Sequence, residues 1–410
     1  MDLLLLNIKE LVQTGENPSQ YLAGKEMSSL SSILNAFLLI SDEMIVDYGS
    51  MEELGISHIE NSDCMMEIDC KGRMVFPSFC DPDSHLLYPF VSDHNFIHHN
   101  NGFFNKGINF TDSFLGLHEM TIDELYVQAL DHLNEVVRKG TGAIEIKSGY
   151  GLGIEDELKL LKVIRKLKRT TPLVIKSTFL GSHTYHEKYR RSPAKYLDHV
   201  LDILPIIAQD ELADNLDIYY DRQFLTRSET ERLLSAGLKV GLNVKIHSDE
   251  LGLNLVNELN LKFCLDIMDH SGQISRENIF LMAESELFPV IMPGTSFFRN
   301  LSNSSAREMI DAGLPLAIAT DFDPGSMPSC DMKFMQSLAC IKYGMKPEEV
   351  INASTINSAF LMGIGDGYGT ITKGKGANVF VTRKIPSYQY FPYAFSSDLI
   401  EMVILDGEIH

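Results

Sequence analysis

Ionisable side chains follow several of the apolar runs in this sequence. They are Asp83 and His85, His183, His247 with Asp249 and Glu250, Asp269 with His270, and Asp321 with Asp323. Imidazole and carboxylate groups are the usual protein ligands of a divalent metal ion, and a catalytic ion needs three or four such donors and an open position for water. If the fold brings these residues together, the pattern predicts a site for a divalent metal ion.

The elements that must position these residues follow from the alternation of apolar runs and amphipathic segments between about residues 73 and 363. This alternation is typical of a parallel sheet built from βα units. Nine apolar runs are strand candidates for the eight places of a (β/α)8 barrel: 74–80, 108–110, 143–146, 173–180, 216–220, 242–246, 265–268, 289–292 and 316–319. The carboxyl ends of all barrel strands open on one face, so the ionisable residues should converge there.

Helix starts are marked by two predicted capping boxes. Thr121-x-x-Glu124 precedes a helix that Gly140 ends, and Ser228-x-x-Glu231 precedes a second helix. In a capping box, the first side chain accepts a hydrogen bond from the backbone of the third helical residue, whose own side chain bonds back.

The two ends of the chain differ from this central part. Short apolar runs broken by polar turns fill the first seventy or so residues, and strand-like runs return after Gly369. We therefore predict an α/β protein: a TIM barrel over 75–368, beside a small composite β-sandwich formed from 1–74 and 369–410.

The bulk composition excludes some classes of protein. The 410 residues carry a formal net charge of −21, which argues against nucleic acid as a partner. No apolar run approaches the roughly 18 residues of a membrane span. Six cysteines show no CxxC spacing and are expected to be reduced thiols, as in a cytoplasmic protein.

Several motifs from about residue 75 to about 381 resemble the imidazolonepropionase family. They are Asp81-Pro82-Asp83-Ser84-His85, Lys147-Ser148-Gly149-Tyr150-Gly151, Thr178-Phe179-Leu180-Gly181-Ser182-His183, Lys245-Ile246-His247-Ser248-Asp249-Glu250, Met292-Pro293-Gly294 and Thr320-Asp321-Phe322-Asp323-Pro324-Gly325-Ser326. The resemblance implies a distorted (β/α)8 barrel with a composite β-sandwich. It also implies hydrolysis of 4-imidazolone-5-propionate to N-formimidoyl-L-glutamate in histidine degradation, with one zinc or iron ion.

The resemblance also implies roles for individual residues. The metal ligands by position are Asp83, His85, His247 and Asp321. The catalytic residues are Glu250, His270 and again Asp321, and the residues that face the substrate are Tyr150 and His183.

The chain departs from the family pattern at two places that bear on its chemistry. The family has His-x-His after the first barrel strand, whereas the first position here is Asp83. A carboxylate is a harder donor than imidazole, which shifts the expected metal toward iron or manganese. The family also has an arginine that contacts the substrate, and the matching position falls near Ser92 with no arginine nearby.

Three functions stay open on the sequence. The first is imidazolonepropionase activity on a small-molecule substrate, and the second is a related amidohydrolase or aminohydrolase that acts on another cyclic amide or heterocycle. The third is a barrel without its metal that serves as a binding protein. Retention of four residues together argues against the third: His247, Glu250, His270 and Asp321. A homodimer is also expected, because barrels of this size often pair.

Overall fold

The structure is a computed structural model, and it describes residues 2–55, 65–89, 116–149, 153–180, 193–220, 225–248, 253–263, 266–269, 274–300, 304–325 and 327–410. The strands are β1 Leu3–Val12, β2 Ser32–Ser41, β3 Met44–Ser50, β4 Met66–Asp69, β5 Met74–Pro77, β6 Phe79–Asp81, β7 Thr141–Lys147, β8 Val174–Phe179, β9 Asn215–Tyr220, β10 Asn243–Ser248, β11 Asp266–Asp269, β12 Val290–Ile291, β13 Ala317–Ile318, β14 Val379–Thr382, β15 Ile400–Leu405 and β16 Glu408–Ile409.

The helices follow most of the barrel strands along the chain. They are α1 Ile122–Arg138, α2 Ile154–Thr170, α3 Pro193–Gln209, α4 Arg227–Lys239, α5 Leu253–Phe263, α6 Arg276–Glu284, α7 Pro293–Phe298, α8 Ala306–Asp311, α9 Met332–Tyr343, α10 Pro347–Ala353, α11 Ile356–Leu361 and α12 Tyr390–Tyr393, with a 3₁₀ helix at Gly24–Ser28. Among the described residues, no helix is long and apolar enough to cross a bilayer.

The barrel is built from parallel strands in chain order. Strands β6 to β11 form one sheet, β12 pairs with β13, and β11 lies against β12. A parallel bridge between Ser84 and Phe322 joins the segments that follow β6 and β13, and so closes the ring. The predicted (β/α)8 architecture is confirmed, with eight barrel strands among the described residues. The ninth strand candidate, 108–110, lies outside them.

The ends of the chain meet in a second, mostly antiparallel sheet. Its order is β16-β15-β14-β5-β1-β2-β3, and β4 pairs with the first half of β1. These strands bury an apolar core of their own, separate from the main core of the barrel. The expected pairing of N-terminal with C-terminal strands is therefore observed, while the predicted segment bounds at 74 and 369 stay a prediction.

The predicted single strand 74–80 was wrong, because the chain changes sheets within it. Residues 74–77 form β5, which pairs with β1 and β14, whereas β6 pairs with β7. Ser78 N–H donates to the Asn378 carbonyl at 2.8 Å, and Phe79 N–H donates to the Gly140 carbonyl at 2.9 Å. Both sheets bury this run, so its continuous apolar character hides the change of partner.

One of the two predicted capping boxes is confirmed, and the other was wrong by two residues. Thr121 caps α1 with both reciprocal hydrogen bonds to Glu124. Helix α4 begins after Thr226 rather than Ser228, because Thr226 and Glu229 form the same reciprocal pair earlier in the chain. The Thr-x-x-Glu and Ser-x-x-Glu patterns overlap here, and the earlier pair starts the helix.

Candidate active site

Three of the predicted ligands lie together at the carboxyl ends of the barrel strands. Asp83 and His85 follow β6, and Asp321 follows β13. One ligand atom from each lies within 4.8 Å of the other two. His85 Nε2 is 3.9 Å from Asp83 Oδ1 and 3.8 Å from Asp321 Oδ1. All three residues are buried, and this spacing suits donors arranged around a single ion.

The segments that follow β6 and β13 meet where the barrel closes, and we call this junction the barrel seam. Main-chain hydrogen bonds across it hold the three clustered residues in place. Asp321 N–H donates to the Asp83 carbonyl at 3.2 Å, and His85 N–H donates to the Phe322 carbonyl at 2.8 Å. Asp321 has a φ of +52°, in the left-handed region that aspartate tolerates better than most residues. Thr295 Oγ1 donates to Asp321 Oδ2 at 2.6 Å, so the carboxylate is oriented by its neighbour.

The side chain of Asp81 also forms hydrogen bonds across the barrel seam. Its Oδ1 accepts from the Thr320 N–H at 3.0 Å, and its Oδ2 accepts from the Thr320 hydroxyl. Burial raises the pKa of Asp81 to about 7, although the bonds from Thr320 oppose that rise. The Asp81 carboxyl therefore links the end of β6 to the segment that follows β13, the two parts of the chain that carry the clustered residues.

We expect Thr320→Val to lower the free energy of unfolding by about 1–3 kcal/mol, because one oxygen of buried Asp81 then loses its donor. Thr141→Val is the matched control, since the buried Thr141 hydroxyl makes no hydrogen bond with the described residues and its loss should change little. Urea unfolding of both variants measures the difference. Equal losses in the two variants would show that the Asp81–Thr320 bond does not stabilise the seam.

A buried lysine contacts the cluster from the barrel interior. Lys147 Nζ lies 3.1 Å from Asp83 Oδ1 and 2.7 Å from Asp217 Oδ2. Burial lowers the pKa of Lys147, but Asp217, Asp83 and Glu145 outweigh this effect and hold the pKa above its usual range. Lys147 is therefore a permanent cation beside a proposed ligand.

A second buried lysine lies deeper in the barrel. Lys245 Nζ donates to Glu145 Oε2 at 2.7 Å, and Thr178 Oγ1 donates to Glu145 Oε1 at 2.6 Å. Asn215 Nδ2 in turn donates to Thr178 Oγ1 at 3.0 Å. Polar side chains thus fill this part of the interior and bond one another across four strands.

The residues present fit a divalent cation. Among the described residues, this part of the interior holds four carboxylates and two ammonium groups: Asp83, Glu145, Asp217 and Asp321, with Lys147 and Lys245. At full ionisation this set has an excess of two negative charges, which is costly in a buried site without a counter-ion. Burial raises the pKa of Asp83 well above its usual range, and Asp83 Oδ2 accepts no hydrogen bond from the described residues.

The side chains of the other five predicted site residues lie outside the described structure. His247 lies near the carboxyl end of β10, where its main chain pairs with Tyr219, and its side chain lies outside the described structure. The remaining four, Tyr150, His183, Glu250 and His270, lie outside the described residues. Their predicted roles stay predictions.

The interior lysines and their partners were not predicted from the sequence. A signal was available, since polar residues recur two apart in three barrel strands: Glu145 and Lys147, Asn215 and Asp217, and Asn243 and Lys245. Residues two apart lie on one face of a strand, and one face of each barrel strand points inward. Charged residues in that pattern indicate a polar barrel interior.

Comparisons with known proteins agree with this architecture. The sequence model of the Amidohydrolase family matches residues 299–410. The solved structure of guanine deaminase from E. coli is similar with a TM-score of 0.71 and 11% identity, covering 100% of this chain and 99% of that one. Atrazine chlorohydrolase from Arthrobacter aurescens, solved with zinc, is similar with a TM-score of 0.69 and 14% identity, covering 99% of this chain and 94% of that one.

Closer similarity is found in sequence. The imidazolonepropionase of Flavobacterium johnsoniae is 43% identical over 412 aligned residues, which cover 99% of each chain. The aligned length spans both the barrel and the terminal sheet. The chain is an enzyme of the amidohydrolase type and belongs to the imidazolonepropionase family.

Proposed function

We propose that this protein hydrolyses the cyclic amide C–N bond of 4-imidazolone-5-propionate to give N-formimidoyl-L-glutamate, using one divalent ion. The observation that carries the proposal is the 43% identity to an imidazolonepropionase over 99% of both chains. The buried cluster of Asp83, His85 and Asp321 supports it, because ring opening at neutral pH needs an electrophilic centre beside the carbonyl.

The proposed ligands of the ion are Asp83, His85, His247 and Asp321. Three of them share the barrel seam, and the main chain of His247 lies at the carboxyl end of a strand in the same barrel. Zinc and iron suit two imidazoles with two carboxylates, and the second carboxylate makes manganese a further candidate. When bound, the ion polarises the amide carbonyl and strengthens water as a nucleophile.

The protein groups must then move protons and hold the ring. Glu250 takes a proton from the attacking water and returns it to the departing ring nitrogen. His270 orients the water, and the carboxylate of Asp321 lies within reach of the same metal centre. Tyr150 and His183 hold the imidazolone ring. These assignments rest on the position of each residue in the family motifs.

The propionate group of the substrate is the part that this chain recognises differently. The family arginine would grip a carboxylate through two parallel bonds, and its place here falls near Ser92. Lys106 and three nearby histidines, His94, His98 and His99, are the remaining cationic candidates, and all lie outside the described residues. A lysine provides a point charge without the fork, so selectivity for the carboxylate should be weaker than with arginine.

We expect 4-imidazolone-5-propionate to have a higher kcat/KM than an uncharged imidazolone or hydantoin of similar size. An unpaired carboxylate in a buried pocket is costly, so the pocket must retain some cationic partner if the charged ring is the true substrate. Parallel assays of the charged and uncharged rings measure this preference. Equal or faster hydrolysis of the uncharged ring would favour the second function, a hydrolase of other cyclic amides.

Two further properties belong to the proposal. A cytoplasmic location agrees with the four described cysteines, 70, 80, 330 and 340, which are all free thiols. The expected homodimer is a prediction for which light scattering of the purified protein is the direct measurement.

A further inference from the structure

Lys147, Asp83 and Asp217 form a buried chain of charges that connects the cluster to the barrel interior. Their side chains are at most 1% exposed. Lys147 Nζ lies between the two carboxylates, 3.1 Å from Asp83 Oδ1 and 2.7 Å from Asp217 Oδ2. The ammonium group therefore touches a proposed ligand on one side and a non-ligand aspartate on the other.

The backbone positions Lys147 for this contact. Its N–H, at the end of β7, donates to the Ser84 carbonyl at 2.9 Å, between the two proposed ligands at 83 and 85. Ser84 Oγ donates to the Glu145 carbonyl at 2.7 Å, which ties the same two segments together again. Asp217, on β9, holds the other side of the ammonium group. Lys147 is thus anchored independently of Asp83.

We infer that Lys147, anchored by Asp217, is a positioning residue that orients the Asp83 carboxylate for metal binding; this inference rests on the proposed metal-dependent function. An imidazole ligand is neutral and is oriented by a hydrogen bond from its second ring nitrogen. A carboxylate ligand carries a negative charge, and its orientation depends on a hydrogen-bond donor or cation that contacts the carboxylate group. The aspartate at position 83, where the family has histidine, creates that need in this chain.

A purely structural ion pair would have different consequences. If Lys147 only stabilised the barrel, removing it would lower the stability of the protein and leave its affinity for an ion largely unchanged. If it positions Asp83, its removal should weaken ion binding, and the effect should depend on having a carboxylate at position 83. Groups that hydrogen-bond to a metal ligand typically contribute about 10–100-fold to the affinity of the site for the metal.

The test uses Zn²⁺ alone, with its dissociation constant measured on the full-length protein by competition with a chromophoric chelator. We expect Lys147→Met to weaken zinc binding by about 10–100-fold. Lys333→Met is the matched control: Lys333 is also buried, but its ammonium group donates to the Ala394 carbonyl and contacts none of the three ligands whose side chains the structure describes. Its zinc affinity should equal that of the parent protein.

The decisive comparison repeats the Lys147→Met change in an Asp83→His background. There we expect it to alter zinc affinity by no more than about twofold, because the carboxylate that Lys147 orients is gone. Asp217→Asn tests the inference in a second way. It keeps the lysine but removes the charge that anchors it, and it should also weaken zinc binding. Folding of each variant is checked by the thermal unfolding of the metal-free protein.

Equal effects of Lys147→Met in both backgrounds, or no effect in the parent protein, would overturn the inference while leaving the metal site intact. The inference would also be overturned if Asp217→Asn left zinc binding unchanged or made it tighter. This outcome can be measured even if Lys147→Met does not fold. A parent protein that binds no Zn²⁺ at all would instead contradict the proposed function, so the two failures are distinguishable.

Discussion

Glu250→Gln should lower kcat by roughly 10²–10⁴-fold and leave the metal content unchanged. Glutamine keeps the size and most hydrogen bonds of glutamate but cannot take or return a proton. Glu258→Gln is the matched control, because Glu258 is an exposed carboxylate in an ion pair with Arg227, and its change should not affect turnover.

Steady-state kinetics and elemental analysis of the same preparations measure both quantities. Loss of metal together with turnover would make Glu250 a ligand rather than a proton carrier. Nearly unchanged turnover would mean that the proton moves through His270 or Asp321 instead.

Asp321→Asn should weaken metal binding by at least about 100-fold, because removing a ligand should cost at least as much as removing a group that only supports one. The amide keeps the shape of the side chain and can still accept the hydrogen bond from Thr295. The variant therefore removes the charge while it preserves the fold of the seam, and turnover should fall with metal occupancy.

Asp323→Asn is the control for this change. Asp323 lies two residues away, and its Oδ1 accepts from the Gly325 N–H at 2.7 Å, a bond that an amide oxygen can also accept. Chelator competition should give this variant the affinity of the parent protein. A similar loss in both variants would indicate a general effect of loop charge, and Asp321 would then have no special place in the site.

Much of the architecture could be predicted because local signals agree with the fold. Thr121 and Glu124 start α1 as their spacing predicts, and ionisable residues after β6 and β13 converge because all barrel strands end on one face. What local patterns could not show was a change of partner within one buried run. Nothing in the side chains of 74–80 distinguishes the part that pairs with β14 from the part that pairs with β7.

The candidate site was predictable only in part, for a similar reason. Asp83, His85 and Asp321 could be found from motifs that each stand in one short stretch of sequence. The contact of Lys147 with Asp217 joins residues from two strands that are not neighbours in the sheet. A pair of this kind depends on the width and curvature of the barrel, which no local pattern encodes.

For the aspartate at position 83, the sequence and the structure give complementary information. The sequence alone marks it as a departure from the His-x-His pattern, with a harder donor as its consequence. The structure adds a lysine 3.1 Å away and an excess of negative charge around it. The carboxylate that stands in place of the family's histidine therefore has a buried cation in contact with it.

The most direct test of the proposed metal-dependent function is an assay of freshly prepared 4-imidazolone-5-propionate, with zinc, iron and manganese measured on the same sample. We expect formation of N-formimidoyl-L-glutamate at a kcat in the range of about 1–10³ s⁻¹ that is common for enzymes, by protein that holds about one equivalent of metal per chain. Removal of the ion by a chelator should abolish turnover, and its return should restore it. Full turnover by protein with less than about a tenth of an equivalent of metal, or no turnover by fully loaded protein, would contradict the proposed function.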